Sequence, residues 1–347
     1  MDYSKITYTV KLLRANGDKL NITKIITAAS VEENEGELAQ HSSVTLANVK
    51  FNGKRISSLA KPGCYLIFTA KVGGDTAEFA RTKITEWSPT RSATTDTIQL
   101  GGYDILYDLQ ASEDNRYISK GLTTKAALES LFKNWKIRIN IYKGPTYANP
   151  KKTYKNKAVS DIVLSLLRIA KKHGSADCFI RSNKTKVDVL PKGSNELIYW
   201  FEEGKNILSS QYSIDTSNVI TVVKVMGHEE KTVTLKSGKK KKKRLKKLKV
   251  EAIVKGSLKY GKRQQIYTRT GSDSLKKAKK AAKHILDQDG SPTTSMTIQV
   301  PDVPTVRKWD VVHVKTRFYN GYALVKSVSH NITGRTMSLT LKKHKLK

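Results

Sequence analysis

The residue sets that come nearest to a chemical site each carry a physical fault. Gly256-Ser-Leu-Lys-Tyr-Gly261-Lys262 has the spacing of a loop that wraps a phosphate in backbone N–H groups. Arg263 stands where a magnesium-holding Ser or Thr belongs, and the next residues read as strand rather than as the helix whose N-terminus would face the anion. A turn between strands is the expectation. His228-Glu229-Glu230 begins like a zinc-protease helix, but position 232 is Thr and the context is the end of a strand. None of the seven histidines (His41, His173, His228, His284, His313, His330 and His344) has another four residues on, and no Gly-x-Ser-x-Gly elbow offers a serine nucleophile. Glu32, Glu33, Glu35 and Glu37 form the one acidic cluster, beside Gly36. Paired carboxylates can cleave a glycosidic bond, but a solvated loop of acids is the expectation here, because nothing in the sequence desolvates one of them. Cys64 and Cys178 are too few for a disulfide framework and lack the paired spacing of a zinc site, so two buried thiols are expected. No catalytic, cofactor-binding or metal-ligating residue is assigned.

The strongest signal for a partner is KSGKKKKKRLKKLK, residues 236–249, with ten basic residues in fourteen and no acid. Its candidate contact residues are Lys239, Lys240, Lys241, Lys242, Lys243, Arg244, Lys246, Lys247 and Lys249. Three readings compete: a solvated hairpin tip, contact with an acidic protein surface, and binding to nucleic acid by counterion release. Single-strand recognition calls for stacking aromatics, and the run holds only Leu245 and Leu248 between its charges.

The elements that must carry these residues read as mainly β with an α+β insert. Residues 1–110 alternate in short segments such as ITYTVKLL, HSSVTLANVK and CYLIFTAKV, broken at Asn16-Gly17-Asp18, Asn52-Gly53, Pro62-Gly63 and Gly73-Gly74, which indicates an antiparallel sheet or small barrel. Residues 111–193 form a small α+β region. One helix there has Thr123 or Thr124 as its cap and Ala127, Leu128, Leu131, Phe132 and Trp135 at helical spacing; a second spans Ser160 to His173 and stops at Gly174. CFIRSNKTKVDVLP reads as a hairpin. Residues 194–347 return to strands. They include a basic hairpin at about 231–255, with Ser237-Gly238 as its turn and the lysine run at its tip. A helix at about 272–288 has Ser272 as its cap and Leu275, Ala278, Ala281, Ala282, Ile285 and Leu286 as its buried stripe.

Length and charge set the outer bounds. The chain has room for two or three domains with their own cores. It carries 64 Lys and Arg against 30 Asp and Glu, net +34, and regular apolar periodicity, which indicates a folded basic protein rather than a disordered polycation. Residues 1–150 hold 20 basic and 15 acidic residues, and residues 151–347 hold 44 and 15, so any electrostatic function lies in the second part. No apolar run reaches 18 residues and the N-terminus lacks a signal peptide's apolar region, so a soluble protein made in the cytoplasm is expected.

The order of elements is specific. The β-rich start, IQLGGYDILYDLQASEDNRYISKGLTTKAALESLFKNW, VITVVKVMGHEE, the helix before DGSPTT, and the ending WDVVHVKTRFYNGYALVKSVSHNITGRTMSLTLKK together resemble baseplate hub proteins of contractile phage tails. The nearest kin by this resemblance are the XkdQ-like hubs of PBSX-type prophages and tail-like bacteriocins. The resemblance covers most of the chain. It implies two tube-like antiparallel β-barrel domains flanking the insert, and a homotrimer that presents six similar modules to a sixfold tail tube with a central spike bound below. Other baseplate proteins are further partners, DNA passes through the lumen without specific binding, and neither a membrane nor a cofactor is implied. The place implied is the tail baseplate of a virion or bacteriocin particle assembled in bacterial cytoplasm. The lysine run is longer than that pattern needs, and a basic lumen would retard a polyanion, so much of the charge is expected to face other proteins or solvent.

Two other classes are weighed against a structural hub: a nucleic-acid-binding protein and a tail-associated cell-wall hydrolase. Replacing Lys239 to Lys249 by Ser and Gly separates the first two. A hub keeps its trimer mass in light scattering after the change, whereas a nucleic-acid binder loses its DNA affinity in a gel-shift titration.

Overall fold

The computed structural model describes residues 5–51, 53–234, 240–269 and 274–345, with side chains described outside 228–247. Strands dominate, as the alternating segments require. They form two antiparallel β modules separated in sequence by a helix-bearing insert, which agrees with the fold class read from the sequence. The chain divides into two compact units, one of residues 1–211 and 296–347 and the other of residues 212–295.

In the first module Thr7–Leu13 pairs with Tyr65–Val72, followed across the sheet by Asp75–Arg91, Asp96–Tyr103, His41–Ala47 and Ile26–Glu33, each antiparallel to its neighbour. Alternation places Val44 and Leu46 inward from one strand and Leu66 and Phe68 from another. They meet Val10, Leu12, Val31, Ile84, Ile98 and Leu100 in one core. Gly73 and Gly74, at φ +62° and +106°, make the two-residue turn between Val72 and Asp75; both positions demand the left-handed region that glycine occupies without strain. Asp96–Tyr103 faces a bulge between Ile84 and Glu86, and there a Cβ on Gly102 would lie 2.4 Å from the carbonyl oxygen of Lys83.

The insert follows its sequence closely. Thr123 caps the helix Thr124–Asn134 by accepting from the Ala126 N–H, and Ala127, Leu128, Leu131 and Phe132 are buried along it. The second helix, Val159–Lys172, begins one residue before the expected Ser160. No side chain caps it, because the Val159 N–H instead reaches the carbonyl of Ser112 at 2.9 Å. Cys178–Asn183 and Lys186–Pro191 form the expected hairpin, and Arg138–Tyr142 joins it in parallel. Ile162, Val163, Leu166 and Leu167 of the second helix close this core with Val187 and Val189. Cys64 and Cys178 are both buried free thiols.

In the second module Thr293–Pro301, Thr336–Lys343, Asn320–Asn331 and Val311–Lys315 pair antiparallel in that order, and Trp200–Glu202 adds in parallel. The chain departs from this module along Ser209–Asp215 and returns along Thr293–Pro301, strands that neighbour each other in the sheet, with the hydroxyls of Ser213 and Ser295 2.7 Å apart.

The excursion, residues 212–295, holds the basic hairpin and the last helix. Val222–Thr234 pairs antiparallel with Lys240–Lys255 and parallel with Gln264–Thr268. The helix Leu275–Asp289 covers one face of this sheet, with Ala278 and Ala282 buried against Val223 and Val225. Two details differ from the sequence reading. Ser274 caps the helix by accepting from the Lys277 N–H, and the expected cap Ser272 lies outside the described residues. Leu275, expected in the buried stripe, is 37% exposed, because it stands a turn ahead of Ala278, the first residue to reach the sheet. Among the described residues no helix is long and apolar enough to cross a membrane.

Gly102→Ala forces a methyl group onto backbone, which cannot rotate away as a side chain can. The variant is expected to lose about 1–3 kcal/mol, as overpacked sites do, read as a lower urea midpoint with an unchanged slope.

Candidate assembly surfaces

The acidic cluster keeps its sequence reading at Glu35 and Glu37, which are exposed in a turn with Gly36, and departs from it at the other two acids. Glu32 and Glu33 are not in a loop: they end the strand Ile26–Glu33, which pairs with Asn320–Asn331 so that Glu33 faces Val328 and Glu32 faces Ser329. This pair makes one sheet continuous through both β modules. Each acid reaches across it. Ser329 donates to Glu32, Lys326 pairs with Glu35 at 2.5 Å, the Glu35 N–H donates to Ser327, and Lys308 Nζ donates to the carbonyl oxygens of Asn34 and Glu37 at 3.1 and 2.7 Å.

Glu33 is the buried centre, 4% exposed. Arg307 donates to it through both Nε and Nη2, and the Lys308 N–H donates to its second oxygen at 2.7 Å. Burial works to raise its pKa, but the charge and hydrogen bonds of Arg307, with Lys308 behind them, overcome this and hold it at about 2. A carboxylate so held cannot serve as a general acid near neutral pH. Asp104 behaves oppositely. Burial pushes it up to about 6, although the Ser182 hydroxyl and the Leu106 N–H both donate to it.

The same loop of the second module binds the insert and the first module. Arg181 meets Asp310 at 3.1 Å, and Trp309 is held at φ +71°, a conformation costly for a bulky residue, between a backbone bond to Val325 and the Lys192 ammonium 3.7 Å from its ring. His330 is buried with Nδ1 2.6 Å from Asp302; Nε2 faces the carbonyl of Val306 at 3.1 Å, and since a carbonyl only accepts, Nε2 carries a proton. Tyr8 donates to the other oxygen of Asp302 at 2.5 Å, and Phe79 packs edge-on against His330.

The hairpin has the lysine run on its second arm from Lys240 onward: Lys240–Lys255 is a strand, with Lys240 opposite Thr234 and Lys243 opposite Lys231, while the expected tip and the start of the run, residues 235–239, lie outside the described residues. Strand pairing uses the backbone alone, and a lysine-rich arm is compatible with its place at the sheet's edge. Lys239 lies outside the described residues, as do the side chains of Lys240, Lys241, Lys242, Lys243, Arg244, Lys246 and Lys247; Lys249 is exposed. The phosphate-loop-like segment is a turn: the Gly256 N–H bonds Thr221, Gly261 is at φ +86°, and Gln264–Thr268 follows as a strand. Among the described residues no cluster of His, Cys, Asp and Glu has the arrangement of a metal site.

Comparison with known proteins adds the family. The model of a family described as YQBQ-like matches residues 87–342. This chain belongs to that family. The YQBQ-like chain shares its fold with a 43 kDa tail protein of prophage MuSo2 from Shewanella oneidensis, at a TM-score of 0.66 and 14% identity over 97% of this chain and 98% of the other. A tail protein from Neisseria meningitidis matches at 0.65 and 15% identity, covering 97% and 96%. The prophage tail protein gp18 from Listeria monocytogenes matches at 0.53 and 14%, covering 98% and 95%. No curated protein matches the YQBQ-like chain.

Glu33→Gln leaves Arg307 buried without its counter-charge and is expected to cost about 3–5 kcal/mol at pH 7. The pH dependence carries a sign. Glu33 is depressed from 4.5 to about 2, so its stabilisation is present above pH 4.5 and is lost as pH falls toward 2, by about 3 kcal/mol. Asp104 is raised from 3.8 to about 6, so it costs stability as pH rises through that window. Urea titrations from pH 3 to 7 therefore show Asp104→Asn gaining on the parent protein as pH rises and Glu33→Gln falling further behind.

Proposed function

We propose that this chain is a structural hub of a contractile phage tail or tail-like bacteriocin. Three copies form a ring, each contributing two β modules, so that six similar modules meet a sixfold tail tube while a central spike binds below. The mechanism is symmetry adaptation and docking, without catalysis or cofactor. DNA passes through the lumen without specific binding, and the ring assembles in the bacterial cytoplasm.

The observation that carries this reading is the continuous sheet through two β modules, made by pairing Ile26–Glu33 with Asn320–Asn331. A chain that already joins two modules edge to edge has solved within itself the contact that a ring repeats between copies. Among the described strands Lys19–Asn21 pairs only with Thr7–Leu13, and Trp200–Glu202 only with Val311–Lys315, so each module keeps an open edge to offer a neighbour. The proteins that share this fold along almost their whole length are tail proteins, which supports a tail-associated structural role. Two acids of the cluster are taken up by ion pairs, Glu33 with Arg307 and Glu35 with Lys326, which counts against the hydrolase reading.

Light scattering at moderate and high salt tests the proposal. The expected result is three times the 38.8 kDa chain mass, unchanged by salt, or a monomer that closes into a ring when tube or spike protein is added. A protein that stays single with those partners and binds DNA tightly at low salt would overturn the hub and leave the nucleic-acid reading standing.

A further inference from the structure

The unit of residues 212–295 is charged out of proportion to its size, with 22 Lys and Arg against 7 Asp and Glu. Among the described residues, the helix Leu275–Asp289 covers one face of its sheet, while on the other face Val222 is buried at one end. Val223, Val225, Ala252, Val254 and Tyr267 pack toward the helix Leu275–Asp289. The residues that alternate with them point the other way, and the register aligns them: Lys224 lies between Ile253 and Ile266, and Met226 faces Val250, with Leu248 two residues on. On that open face Leu248 is 42% exposed, Val250 48%, Ile253 51% and Ile266 58%. Four aliphatic side chains thus stand in water on one small sheet, with Lys224 and Lys255 on the same face.

Solvation accounts for the lysines but not for the aliphatic residues among them, since clustered exposed apolar groups mark interaction surfaces. Nucleic acid accounts for the charge but not for the chemistry of the face, because bases are held by aromatic stacking and none of its described residues is aromatic. Acidic protein matches both: carboxylates meet Lys224 and Lys255 while apolar side chains cover the aliphatic residues, as protein interfaces pair apolar contact with complementary charge. The one acid of the hairpin with a described side chain, Glu251, is already neutralised by Arg269 at 2.6 Å, with Gly227 leaving room for its carboxylate.

We propose that the open face built around Leu248, Val250, Ile253 and Ile266 docks an acidic protein surface that carries aliphatic side chains, with Lys224 and Lys255 supplying its positive charge. The proposal is independent of trimer formation: a chain that stays single with tube and spike proteins yet binds as described below keeps it while the hub reading fails.

The test uses the full chain and three fluorescent probes, namely a random copolymer of Glu and Leu, poly-glutamate of the same length, and duplex DNA. Anisotropy is read at about 50 and about 300 mM salt, which spans strong to weak screening of exposed charges. The copolymer is expected to keep most of its affinity at the higher salt while poly-glutamate loses its own. Ile253→Thr with Ile266→Thr keeps β-branching at both exposed positions, and is expected to weaken the copolymer about tenfold and leave poly-glutamate unchanged. The proposal is overturned if copolymer and poly-glutamate respond alike to salt and to the double variant, if the copolymer does not bind, or if DNA is the tightest ligand at the higher salt.

Discussion

A carboxylate almost wholly removed from water must be matched atom by atom, and Glu33 is matched by groups 274 and 275 positions away. That requirement fixes much else. For the Arg307 guanidinium and the Lys308 N–H to arrive together, the strand Ile26–Glu33 must lie in one register on Asn320–Asn331. A slip of one residue would turn Glu33 to the opposite face of the sheet and strand Arg307. The left-handed backbone at Trp309 follows from the same demand, because the loop must present Arg307 and Lys308 to Glu33 and Asp310 to Arg181 within four residues.

Around this latch the apolar cores do the bulk stabilisation and the polar groups decide position. The first module and the insert each have their own core and could tolerate many relative placements on hydrophobic grounds alone. Directional contacts such as Arg181 with Asp310, Ser182 with Asp104 and His330 with Asp302 select one. Opposed shifts at Glu33 and Asp104 arise from the same burial. One acid has a guanidinium beside it and ionises easily; the other has a hydroxyl and an amide, which do not fully replace water.

What the sequence disclosed is what short-range physics encodes. The cap at Thr123, the stop at Gly174, the Gly73-Gly74 turn and the alternation through Val44 and Leu46 depend on residues within a few positions of one another, and all were legible. Glu35 and Glu37 lie in the expected loop, but Glu32 and Glu33 were misread as part of it because their partners, Ser329, Arg307 and Lys308, lie nearly 300 residues downstream and leave no local trace. A partial signal existed in Val306-Arg307-Lys308-Trp309-Asp310, where charges interrupt an apolar run bound for a sheet. The lysine run was assigned to a tip because like charges repel. Strand pairing is a backbone property, however, and at an edge the side chains can spread into water.

The hydroxyl contact between Ser213 and Ser295 brings the two ends of the basic excursion side by side. A segment of 84 residues whose ends already touch is, topologically, a bead on a closed loop. Its host module loses no strand when the bead changes, and joining the ends directly would spare the chain the entropy of spanning a gap. Such a graft point lets charge and recognition diversify at one place while the latch and the two modules remain under the stricter selection that buried ion pairs impose.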